Sequence, residues 1–129
     1  MAITVKRLAG ALGAEISGVD LAKELDGPTF DAIHRAFVEH EVIFFRDQDI
    51  TPGQHKAFGR RFGSLNIHPY VKGMDDHPEI MEIIKEPSDK LNFGGGWHSD
   101  MSFLETPSIG SILHAIEVPT HGGDTLFAS

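Results

Sequence analysis

Only two stretches of this 129-residue chain carry the apolar period of a helix, and glycine or proline breaks the remainder into short extended pieces. Gly27-Pro28 opens the first helix, proline being suited to the first helical position, and Phe30, Ile33 and Phe37 fall on one face. Its histidines, His34 and His40, are expected to face solvent or to cap, while Glu39 and Glu41 near its end oppose the macrodipole. Thr51-Pro52-Gly53-Gln54 has the residues of a capping box and predicts a second helix over about 52–62. Phe58 and Phe62 would then face the core, and Gly63 would end the helix.

The extended pieces are short. Ile3–Lys6 and Ala14–Ser17 alternate apolar and polar residues, with glycines at 10, 13 and 18 as punctuation, and read as two strands joined by a turn. Val42-Ile43-Phe44-Phe45 is a continuous apolar run, the pattern of a strand buried on both faces. Residues 64–78 read as a surface loop, Ile80–Ile84 as a strand, and Ile109–Val118 as a further strand before the turn at Gly122-Gly123. Many short strands with two helices near the N-terminus make a mixed, β-dominated fold, and the length allows one domain at most over residues 1–129.

Charge narrows the partners. Nineteen acidic against 11 basic residues give a formal net charge of −8, which argues against nucleic acid and against anionic membrane surfaces as ligands. No cysteine is present, so histidine and carboxylate are the metal-ligating side chains available. The apolar run after Lys6-Arg7 is short, holds two glycines and ends at Glu15, so it is not a secretory signal, and the protein is expected in the cytoplasm. No stretch approaches a membrane span.

The chemistry is concentrated in Gly94-Gly95-Gly96-Trp97-His98-Ser99-Asp100. On extended backbone the imidazole of His98 and the carboxylate of Asp100, two residues apart, leave from one face and can converge on one ion. Two histidines and a carboxylate on one face of an octahedron form the usual non-haem Fe(II) oxygenase centre, so this pair lacks one histidine. The three glycines suggest close approach of backbone to a ligand or a mobile lid segment, against the plainer reading of a floppy loop. Trp97 reads as a packing residue and Asp124 as turn chemistry, and the histidines at 34, 40, 55, 77 and 121 have no partner at ligand spacing.

These residues carry a resemblance. Trp97-His98-Ser99-Asp100 with Met101–Pro107, and then Gly122-Gly123-Asp124-Thr125-Leu126-Phe127-Ala128, resemble the taurine dioxygenase family of Fe(II)- and 2-oxoglutarate-dependent oxygenases. Gly13–Leu21, Val42–Gln48 and Phe62-Gly63 before Ile67-His68-Pro69 are similar to the N-terminal half of that family, in the same order. The resemblance spans nearly the whole chain but only the first half of a family member. It implies a double-stranded β-helix, a jelly roll with helices on the outside, truncated here.

It also implies roles. His98 and Asp100 would hold Fe(II), with a distal histidine beyond residue 129 as third ligand, and Thr125 would help a distal arginine hold the far carboxylate of the cosubstrate 2-oxoglutarate. With O2, such an enzyme hydroxylates a small anionic substrate and releases succinate and CO2. His68 would bind the anionic head of the substrate, with Tyr70 and Gly94 in the same pocket. Gly94 stands where taurine-oxidising members have a side-chain amide, and Tyr70 lies one position nearer to His68 than the matching tyrosine. Both departures lie in the pocket, so the implied substrate class is broad: a sulfonate, an alkyl sulfate or an aryloxyalkanoate. The rival reading is a non-catalytic binding module or inactive fragment with an incomplete site. A zinc hydrolase would need a ligand set such as His-Glu-x-x-His, which the chain lacks. Sequence leaves a homo-oligomer open.

Overall fold

Helix α1 (Gly27–His40) lies between two strands that pair in parallel, because a parallel pair cannot be closed by a tight turn and needs a crossover. The computed structural model describes residues 2–91 and 93–129. Strand β1 (Thr4–Arg7) runs antiparallel to β2 (Ala14–Ser17), which pairs in parallel with β3 (Ile43–Phe45), giving a three-stranded sheet in the order β1-β2-β3. Helix α2 (Pro52–Phe62) follows β3.

Local chemistry sets the helix ends. Asp26 caps α1, its Oδ1 accepting from the Thr29 N–H at 2.8 Å, and the Glu41 N–H closes the last turn on the Phe37 carbonyl at 2.8 Å. The capping box of α2 forms as its residues predict: the Gln54 N–H donates to Thr51 Oγ1 at 3.2 Å, and the Thr51 N–H donates to Gln54 Oε1 at 2.8 Å. The helix ends at Phe62, before Gly63.

The core sits between α1, α2 and the sheet. Ile16 of β2 and Ile33 of α1 are fully buried and cluster with Leu21, Ala36 and Phe58, each large aliphatic contributing roughly 1.5–3 kcal/mol by burial. Phe62 is the aromatic hub, with edge contacts to Phe30 at 5.0 Å, Phe58 at 5.3 Å and Phe37 at 5.7 Å between ring centroids. Gln48 ties the loops at one end of this core, accepting from the Leu21 N–H at 2.8 Å and donating to the Val19 and Arg46 carbonyls.

Four expectations change. His40 is buried rather than solvent-facing, because the end of α1 is drawn onto the sheet: its carbonyl accepts from the Gly13 and Val42 N–H groups at 2.9 and 2.7 Å. Strand β3 is half-buried, not enclosed on both faces, because it is an edge of the sheet among the described residues. Ile80–Ile84 and Ile109–Val118 form no strand, although their composition suits one. A strand exists only with a paired neighbour, and the sheet holds no fourth strand among the described residues to supply the ladder. The mixed α and β character stands, but helical residues outnumber strand residues, so β does not dominate here.

The segment after Gly63 is stapled over α2 by scattered contacts. Glu79 bridges Lys56 at 3.4 Å and Arg60 at 3.6 Å, and His55 Nε2 lies 3.0 Å from the Ile112 carbonyl oxygen. His114 Nε2 meets the Gln48 carbonyl oxygen at 3.3 Å, and the Phe127 ring reaches Phe44 at 6.4 Å. Large apolar side chains remain exposed along it, among them Ile84, Leu91, Leu113, Ile116 and Val118. Among the described residues no helix is long and apolar enough to cross a membrane.

Two expectations about stability follow. Limited proteolysis of residues 1–129 should cleave first between 64 and 129 and leave a resistant core ending near Gly63, and the exposed apolar side chains should bind a hydrophobic dye. Uniform resistance with no dye binding would contradict this. The hydroxyl and N–H of Thr29 hold the Asp26 carboxyl below its ordinary range. A depressed folded value means that the stabilisation is present above the unfolded pKa, about 3.9, and is lost as pH falls through the lower folded value. Asp26→Asn keeps an acceptor at the cap and should remove this part of the acid sensitivity of α1, measured by circular dichroism between neutral pH and strong acid.

Candidate metal centre

His98 and Asp100 sit in irregular backbone that follows the glycine loop, not on a strand, yet their side chains converge. His98 Nε2 lies 3.2 Å from Asp100 Oδ1, and both side chains are just over half exposed, at 55% and 57%. The other ring nitrogen, Nδ1, is 2.7 Å from the Gly96 carbonyl oxygen. A carbonyl can only accept, so Nδ1 carries a proton, and Nε2 faces the carboxylate either with a second proton or with its lone pair. In the second case two electron-rich atoms face each other and a cation between them is the stabilising partner. The nitrogen and oxygen donors present therefore suit a borderline divalent metal such as Fe(II), as two of its protein ligands.

Asp100 is anchored on its far side, where Ser111 Oγ donates to Oδ2 at 3.1 Å. Sequence reasoning missed Ser111, and no spacing rule would have found it, since it lies eleven residues on in an unpaired segment. Directly after the motif, Met101 adopts a left-handed backbone with φ of 57°, and its carbonyl accepts from the Leu104 N–H at 3.2 Å. This turn redirects the chain so that Phe103 meets the residues around His68.

His68 lies in the loop after α2. Its Nδ1 accepts from the Tyr70 and Val71 N–H groups at 3.0 and 3.1 Å, so that nitrogen holds a lone pair and the ring proton of the neutral form is on Nε2. The Tyr70 ring stands 6.2 Å from His68 and 5.9 Å from Phe103, and Phe103 is 6.5 Å from His68. Tyr70 is 82% exposed, so these rings form an open aromatic shelf beside a hydrogen-bond donor. Phe103 was not singled out by sequence. The available signal was an aromatic residue three positions beyond Asp100, which is weak by itself.

The remaining expected residues divide. Gly94 lies against His98, where a Cβ built on it would fall 3.2 Å from Cε1 of the imidazole. Trp97, expected to pack, is 74% exposed. Thr125 is exposed in the segment whose end returns to β3. Among the described residues no hydrogen bond, ion pair or ring contact joins it to His98 or Asp100, and no group of three or more histidines or carboxylates could hold a metal ion.

Comparison with known proteins agrees with the family resemblance. The chain is 37% identical to an alkylsulfatase of Acinetobacter baylyi over 128 residues, covering 98% of this chain and 39% of that one. It is 36% identical to an alpha-ketoglutarate-dependent sulfate ester dioxygenase of Pseudomonas putida, again over 98% of this chain and 42% of the relative. It thus spans about two fifths of these curated relatives. A crystal structure of a taurine dioxygenase from Burkholderia xenovorans superposes with a TM-score of 0.56 at 42% sequence identity, over 59% of this chain and 28% of that one. A model of the family described as "Taurine catabolism dioxygenase TauD, TfdA family" matches residues 4–129, and the chain belongs to that family.

Proposed function

We propose that residues 1–129 are the N-terminal portion of a single catalytic domain that, when complete, is an Fe(II)- and 2-oxoglutarate-dependent dioxygenase of small anionic organic molecules. The observation that carries this reading is the convergence of His98 Nε2 and Asp100 Oδ1 to 3.2 Å, with Nδ1 tied back to main chain. Iron with 2-oxoglutarate and O2 supplies the oxidising power to hydroxylate a C–H bond, with release of succinate and CO2. The chain's own residues do the positioning. His98 and Asp100 hold the metal, and Ser111 keeps the Asp100 carboxylate turned toward it. Thr125 contributes its hydroxyl to the far carboxylate of the cosubstrate. The jelly roll of the family is the architecture in which Ile80–Ile84 and Ile109–Val118 gain strand partners.

The shelf supports this substrate class. His68 offers Nε2–H to an anionic head, while Tyr70 and Phe103 cover an apolar body. Relatives are named for sulfate esters, for sulfonates and for phenoxypropionate, which share an anionic group on an apolar chain or ring. Hydroxylation of the carbon beside a sulfate, sulfonate or ether oxygen gives a product that collapses and releases that group. The rival, a non-catalytic binding module, draws support from the two protein donors that this chain provides.

In the intact protein, His98→Ala or Asp100→Ala should abolish both succinate formation and substrate oxidation, because each removes a metal ligand. Retained 2-oxoglutarate turnover in both variants would sink the assignment of His98 and Asp100 as ligands, and absence of turnover in the unaltered intact protein would favour the binding module. His68→Ala should raise KM for an alkyl sulfate about tenfold or more and uncouple succinate from product, while metal affinity stays unchanged. Unaltered KM and coupling would reduce His68 to a loop residue.

A further inference from the structure

We propose that Asn66 and Ser108 are specificity-determining residues: their hydrogen bond sets how far the loop that binds the anionic head stands from the metal centre, and so which substrate carbon is oxidised. This rests on the reading of His98 and Asp100 as metal ligands and of His68 as the head-binding group. Asn66 Nδ2 donates to Ser108 Oγ, 42 positions further along the chain. Asn66 stands two residues before His68, in a loop drawn tight by the Tyr70 and Val71 N–H groups on His68 Nδ1. Ser108 stands three residues before Ser111, whose hydroxyl holds Asp100 Oδ2 at 3.1 Å. One short segment therefore touches both halves of the site.

That segment is itself seated on the core. Gly110 lies against the Phe37 ring of α1, so close that a Cβ would fall 3.1 Å from Cζ, and the Ile112 carbonyl accepts from His55 Nε2 of α2 at 3.0 Å. Extended chain spans at most about 3.6 Å per residue, so Asn66 to His68 covers about 7 Å at most and Ser108 to Ser111 about 11 Å at most. A tether this short allows the His68 imidazole little movement relative to Asp100. The Phe103 ring also joins the halves, 6.5 Å from His68 and 5.9 Å from Tyr70. Rings can slide over one another, whereas a hydrogen bond is directional and fixes one spacing. Spacing decides the product. One atom of O2 enters succinate as 2-oxoglutarate loses CO2, and the other is inserted into a C–H bond. At the carbon bearing a sulfate ester oxygen this gives a hemiacetal sulfate, whose hydroxyl proton and C–O bond are lost together to leave an aldehyde and hydrogen sulfate. Farther along the chain it gives a stable hydroxyalkyl sulfate. An incidental surface hydrogen bond would leave that ratio alone.

The test uses the intact protein with hexyl sulfate, for Asn66→Ala, Ser108→Ala and Ser108→Thr. Lys72→Ala, which loses an exposed ion pair with Asp75 in the same loop, is the control. Two quantities are read: the ratio of sulfate released to hydroxyhexyl sulfate retained, and, without turnover, the paramagnetic relaxation of the hexyl sulfate C1 protons by bound Co(II). Asn66→Ala and Ser108→Ala should lower the product ratio about 10-fold or more and change the relaxation, because a displacement near 1 Å is enough. Co(II) affinity and KM should stay within about twofold, since His68 and both metal ligands remain. Ser108→Thr, which keeps the hydroxyl, and Lys72→Ala should behave as the unaltered protein does. An unchanged ratio and relaxation in both alanine variants, an equal change in Lys72→Ala, or a loss in Ser108→Thr as large as in Ser108→Ala would overturn the proposal. Hexyl sulfate left unrelaxed by Co(II) in the unaltered protein, or Co(II) bound as tightly by His98→Ala, would instead overturn the reading of the site and the proposal with it.

Discussion

Burial of Ile16 against the Ile33 face of α1 is the contact on which the rest depends. Strand β2 is the middle strand, so fixing Ile16 fixes the register of both neighbours, Val5 opposite it in β1 and Phe45 opposite it in β3. Phe45 then meets Phe58 at 5.7 Å, which seats α2, and α2 carries the lysine, arginine and histidine that staple the later segment. The position of the candidate metal centre is therefore inherited from an apolar contact made far earlier in the chain. None of the residues in that contact is among the candidate site residues.

The chain changes character after Gly63. Before it, helices and a sheet enclose a core, and after it the backbone is irregular and apolar side chains face outward. Both sides follow from one rule, that extended chain is stable only when its N–H and C=O groups are paired and one face is covered. The early strands find partners within a few tens of residues. The later apolar stretches find no such partner among the described residues.

Within that irregular region, the candidate site residues are held by specific polar contacts. His98 and Asp100 are each held by a second contact, one from main chain and one from Ser111. His68 is oriented by two main-chain N–H groups. In all three cases a polar group with two functional atoms commits one of them to a contact with a nearby loop. This is how a loop can hold precise donors without a packed core beneath it.

Sequence by itself determined the local decisions. The capping box at Thr51, the helical face of Phe30, Ile33 and Phe37, and the two strands flanking Gly13 depend on neighbours a few residues away, so they are legible in a string. The pairing of His98 with Asp100 was legible for the same reason, and so was the family, through motifs kept in order. Tertiary structure alone decided the rest. Burial of His40, exposure of Trp97, the meeting of Phe103 with Tyr70, the anchor from Ser111 and the closeness of Gly94 to the His98 ring all depend on where distant or irregular backbone is carried. Ile80–Ile84 and Ile109–Val118 show the limit most plainly: β-propensity describes a side chain's fit to a sheet, and only the fold decides whether a sheet is there to receive it.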